Sequence, residues 1–109
     1  MTTQEISAMI DEMGYSNAYY QWPVSKAPAL PYVLFYYPNR ADFHADGKIY
    51  KKISALNIEF YSDNKDFGGE NKIEAVLDEY GLIYTKNESY IDSEKMFLVL
   101  YETEVLIDG

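Results

Sequence analysis

Two short runs constrain this chain most. Tyr32-Val33-Leu34-Phe35-Tyr36-Tyr37 and Phe97-Leu98-Val99-Leu100-Tyr101 are apolar on both alternating faces. A strand of that kind needs neighbours and cover, so both runs predict central strands. Pro38 ends the first, because proline cannot donate to a ladder. The chain offers two amphipathic helices as cover. Ile6, Met9, Ile10 and Met13 repeat at i, i+3, i+4, i+7, behind the capping-box pair Thr2 and Glu5 and ahead of a C-cap candidate, Gly14. The second helix is predicted over 70–80. Ile73, Val76, Leu77 and Tyr80 form its buried stripe, Glu70, Glu74, Asp78 and Glu79 face solvent, and Gly81 caps its end.

The other strands are read between these landmarks. Residues 15–22 are rich in strand formers, and a proline-punctuated loop runs from Pro23 to about Leu30. Residues 38–47 read as a polar loop ending in the turn signal Asp46-Gly47. A long strand follows, Lys48 to Tyr61, with Leu56, Ile58 and Phe60 alternating against Asn57, Glu59 and Tyr61. Ile53 is out of phase with Leu56, which predicts a bulge near Ser54-Ala55. Ser62 to Gly69 reads as a turn region, Leu82 to Thr85 as a short strand, Asn87-Glu88-Ser89 as a turn, and Met96 to Val105 as the last strand. The order α-β-β-β-α-β-β predicts an α+β fold, with two helices packed on a mixed, mostly antiparallel sheet of about five strands. At 109 residues this is a single domain, 1–109.

Composition narrows the chemistry. With no cysteine there is no disulfide, thiolate ligand or cysteine nucleophile. No apolar run reaches the ~20 residues of a membrane span, so no membrane partner is expected. Eighteen acids against nine bases give a net charge of −9, which opposes sequence-independent nucleic-acid binding. That excess is one-sided: residues 1–54 balance five acids with five bases, and residues 55–109 carry all of it.

No motif signals catalysis. His44 is the lone histidine, set between Asp42 and Asp46, and it lacks the convergent ligands a site needs. Asp63-Asn64-Lys65-Asp66 puts a lysine where a calcium loop needs an oxygen ligand, and reads as a turn with a helix N-cap. Phe67-Gly68-Gly69-Glu70 lacks the Gly-Lys-Ser/Thr ending of a phosphate loop and reads as a flexible turn. No enzymatic role, cofactor or metal is expected. The aromatics are abundant, with Tyr19, Tyr20, Trp22, Tyr32, Tyr36 and Tyr37 grouped early, and tyrosine suits interfaces that are buried yet hydrogen-bonded.

Several stretches taken together carry a family likeness: Pro31-Tyr32, Ala45-Asp46-Gly47-Lys48-Ile49-Tyr50, Ile58-Glu59-Phe60-Tyr61-Ser62-Asp63, Ile73 through Gly81, Tyr90 through Lys95, and Val99-Leu100-Tyr101-Glu102. The chain resembles the small proteins of tail-morphogenesis modules in phages and prophages of Gram-positive bacteria. These are similar to the tail terminator and tail-completion (head–tail joining) proteins of lambda-like long-tailed phages. The resemblance implies helices on a mixed sheet and a hexameric ring at the head-proximal end of the tail. Such a ring stops tube growth, meets the tail tube and head connector proteins, and lets DNA pass through its lumen without specific binding. It also implies a place in the virion tail, reached from the host cytoplasm during assembly, and it brings no catalytic residues.

A ring joins two unlike patches head to tail. One candidate patch is the basic loop and strand start, Arg40, Phe43, His44, Lys48, Lys51 and Lys52, and the other is the acidic second half. The acids left over would line the lumen and repel DNA, or simply keep the protein soluble. The alternatives are a small acidic monomeric binding or inhibitor module, another head–tail connector component, and a small enzyme centred on His44.

Overall fold

Helix α1, Thr3–Glu12, starts at its capping box: Thr2 Oγ1 accepts from the Glu5 N–H, and Glu5 Oε1 accepts from the Thr2 N–H, both at 3.1 Å. It stops where Gly14 takes φ +85° and donates to Asp11 O at 3.0 Å. The computed structural model to which this helix belongs describes residues 1–108. The remaining elements are β1 (Ser16–Tyr19), β2 (Tyr32–Tyr36), β3 (Phe43–Ala45), β4 (Lys48–Ser62), α2 (Phe67–Glu79), β5 (Tyr84–Ile91) and β6 (Met96–Ile107).

The sheet runs β1-β2-β4-β6-β5, with β3 beside β4. Only β1 and β2 are parallel. The fold is therefore α+β, two helices on a mixed, mostly antiparallel sheet, with six strands in place of about five. The added strand is β3, inside the stretch read as a polar loop, and an isolated bridge from Arg40 to Ser54 prolongs it. Both helices pack on one sheet face, here the inner face. Ile6, Met9, Ile10 and Met13 of the first helix and Ile73 and Leu77 of the second are 0% exposed, and they meet Val33, Phe60, Val99 and Tyr101 of the strands.

Four further expectations are corrected. There is no bulge at Ser54-Ala55, because β4 and β6 pair without a shift from Lys52↔Ile107 to Ser62↔Phe97. Ile53 simply lies on the other face, opposite Leu106, and Ser54 enters the inner face with its hydroxyl donating to Ala55 O at 2.9 Å and lying 3.3 Å from Asn39 O. The bulge falls instead between Phe43 and His44.

Asn87-Glu88-Ser89 is not a turn but the middle of β5, an exposed edge strand, and the chain reverses at Asp92–Lys95, with Lys95 at φ +51°.

Phe67-Gly68-Gly69 is not a flexible turn but the first turn of α2, capped by Asp66, whose Oδ1 accepts from the Gly69 N–H at 2.9 Å. Glycine is required at 69: a Cβ there would lie 2.6 Å from Asp66 Oδ2, 2.7 Å from the Tyr15 hydroxyl and 2.8 Å from Phe60 Cζ.

Glu70, expected in solvent, is 2% exposed. The helix ends as expected at Gly81 (φ +71°), where Gly81 N donates to Asp78 O and Leu82 N to Leu77 O, both at 3.0 Å.

Candidate functional site

The β3–β4 hairpin turns at Asp46-Gly47, both at positive φ (+53° and +73°), the geometry that matches the twist of paired strands. Its pairs are Phe43↔Lys51, His44↔Ile49 and Ala45↔Lys48. β2 joins β4 only from Asn57 onward and β6 only from Lys52, so the tip is a two-stranded ribbon with no third strand. Four residues, Lys48–Lys51, at about 3.3 Å each carry it about 13 Å past the last β6 pair.

Residues paired across a ladder share a face, as do residues two apart. Phe43, His44, Ile49 and Lys51 therefore form one side of this arm. Phe43 and Ile49 are more than half exposed, at 55% and 52%. Within Phe43–Lys52 three lysines stand against Asp46, a net of +2, which leaves −11 for the other residues. Among the described residues, no ion pair uses Lys48, Lys51 or Lys52.

Arg40 stands apart from this group. Its guanidinium grips Asp42 with two bonds, Nε to Oδ1 at 3.0 Å and a terminal nitrogen to Oδ2 at 2.5 Å, and Asp42 Oδ1 also accepts from the Ile53 N–H at 3.2 Å. The hydrogen bonds from Arg40 hold the Asp42 carboxyl below the usual carboxylate range. Together with Ala41 N to Ile53 O (2.8 Å) and Ala55 N to Asn39 O (2.9 Å), this pair fixes the root of the arm. Arg40 thus positions the arm, while Phe43, His44, Lys48, Lys51 and Lys52 make up its exposed length.

The outer sheet face carries no helix. Its middle is apolar and aromatic. Trp22 meets Tyr32 (ring centroids 5.4 Å), Tyr32 meets Tyr61 (5.3 Å), and Tyr20 meets Tyr36 (5.2 Å). The early aromatic group is thus divided, since Tyr19 packs edge-on to the core residue Phe35 on the inner side. Glu59 sits in this middle, between Leu34 and Leu100 in register, and accepts from the Tyr61 hydroxyl at 3.0 Å. Burial pushes its carboxyl up.

On the arm side of this aromatic patch, next to the arm's root, the outer face opens into a groove of about 710 Å³, whose lining includes Asn57, Glu102 and Glu104 on the sheet and Ile83, 91% exposed, at the entry to β5. Among the described residues Glu59, Glu102 and Glu104 have no cationic partner.

Sequence reasoning missed a charged cluster on the inner side. Glu70 lies 2.5 Å from Lys65 Nζ and 2.8 Å from Lys86 Nζ. Lys65 also pairs with Glu88, and Lys86 with Glu74 at 2.8 Å, whose Oε2 accepts from the buried Tyr101 hydroxyl at 2.8 Å. Burial alone would raise the Glu70 carboxyl, but the hydrogen bonds from the two lysines outweigh it and hold it low. Every charge in this cluster has an opposite within the chain, so it reads as a brace between α2 and β5.

The described residues contain no group of three or more histidine and acidic side chains placed to hold a metal ion, and His44 is an exposed residue of the arm. No protein-family model matches the chain, and no curated protein matches it.

Proposed function

We propose that this chain is a non-enzymatic assembly subunit of a phage or prophage tail. Copies join head to tail into a ring, a hexamer on the tail, that caps the tail tube and joins it to the head connector. DNA passes through the lumen without specific binding. The tail role rests on the resemblance carried by the motifs above. The observation that carries the assembly role is the arm: a projecting ribbon of net +2 with two exposed apolar residues, on a body of net −11. Unlike charges on different parts of one subunit favour a heterologous contact, which closes into a ring when the rotation allows. The −11 body also suits a lumen that must not retain DNA.

The test is genetic. Disrupting the gene in the lysogen that carries it should yield tail tubes of uncontrolled length, unattached to heads, in electron micrographs. Normal tails joined to heads would refute the role.

A further inference from the structure

We propose that the docking site for the arm is the outer-face groove of the next copy, with Lys51 of one subunit paired to Glu102 and Glu104 of its neighbour, and Phe43 and Ile49 seated against the neighbour's Ile83. This inference rests on the assembly reading and supplies its contact.

Three observations carry it. The first is charge. Among the described residues, the groove's Glu102 and Glu104, and Glu59 beside them, have no cationic partner, and Lys48, Lys51 and Lys52 have no anionic one. Two copies packed outer face to outer face would oppose glutamate to glutamate, whereas arm to groove matches opposite signs. The second is apolar surface. Phe43 and Ile49 share the arm side that holds Lys51, and Ile83 is 91% exposed at the groove wall. A contact that seats the apolar residues also places the lysine beside the acids. The third is the arm itself. A two-stranded ribbon is marginal alone in water. The bidentate Arg40–Asp42 pair nevertheless fixes its root in one direction, which lowers the ordering cost on docking.

The chain has no cysteine, so the contact can be read by directed disulfides. One variant carries Lys51→Cys and another Glu104→Cys. They are mixed in equal amounts at high concentration and oxidised, with wild-type mass followed by sedimentation on the same samples and circular dichroism confirming the fold of each variant. The proposal expects the mixed cross-link to exceed both self cross-links by about tenfold. If the wild type assembles but the mixed cross-link shows no excess, the groove is not the docking site and the assembly reading survives. If the wild type associates neither alone nor on added tail tubes, both fall.

Discussion

The two faces of the sheet treat a carboxylate drawn away from water in opposite ways. On the inner face Glu70 is almost wholly enclosed and held low by Lys65 and Lys86 of its own chain. On the outer face Glu59 lies among tyrosines and leucines, has no cationic partner among the described residues, and is pushed up by burial. The inner face is finished over the core: two helices cover it, and the carboxylates of Glu70 and Glu74 are paired there. The outer face has the composition of an interior at its middle and unpaired acids towards one end. On the proposed assembly the open face takes the next copy, and the arm lysines, which form no ion pair among the described residues, supply the complementary charge.

The largest effect should come from the inner face. Phe60→Ala removes a fully enclosed ring and is expected to cost about 3–5 kcal/mol. Leu100→Ala on the outer face should cost about 1 kcal/mol or less in the monomer. Urea denaturation measures both. Equal losses would mean that the outer face is already as closed as the inner one, and the contrast would be lost.

Next in size is the brace. Lys86→Met leaves Glu70 and Glu74 with fewer counter-charges, and because Lys86 is itself more than a third exposed the expected loss at pH 7 is about 1–3 kcal/mol. The pH dependence has a definite sign. A carboxyl held low in the fold contributes stability above its unfolded value and loses it as pH falls through the lowered one. The gap between Lys86→Met and the wild type should therefore shrink as the medium becomes acidic. A gap constant from pH 7 to pH 3 would show that the lysine acts through packing alone.

The smallest effect belongs to Glu59. Its carboxyl is raised, so the folded monomer loses stability as pH climbs from the unfolded value through the raised one. Glu59→Gln should raise the monomer's midpoint of thermal unfolding slightly at pH 7 and leave it unchanged near pH 3. Destabilisation at pH 7 would mean that the charge is already compensated within the chain.

Much of the inner face was legible in the sequence, because it obeys local rules. The helix-1 stripe, its capping box, the glycine after each helix, and the Leu56–Ile58–Phe60 alternation each depend on residues within a few positions. What escaped depends on distant partners. Glu70 looked solvent-facing because Lys86 is sixteen residues on and reaches it only once β5 lies beside α2. Asn87-Glu88-Ser89 looked like a turn because an edge strand needs no apolar side, and the inward-facing Lys86 and Glu88 mark such an edge. Ser54 was misread because a buried hydroxyl, satisfied by the Ala55 carbonyl, can stand at a core position. β3 is only three residues long, and Asp46-Gly47 was its single signal. The arm's cations were visible as a run of basic residues, but the groove they complement joins two strands to Ile83 and has no sequence signature.

The central claim, that unlike patches on successive copies meet, is tested most directly by charge exchange in sedimentation equilibrium. One variant carries Lys51→Glu and Lys52→Glu, the other Glu102→Lys and Glu104→Lys. Wild type should associate beyond its 12.6 kDa chain mass at low salt and weaken as salt rises. Each variant alone should remain monomeric, and the equimolar mixture should recover association. Association of either variant alone at the wild-type level, or no recovery on mixing, would contradict the account.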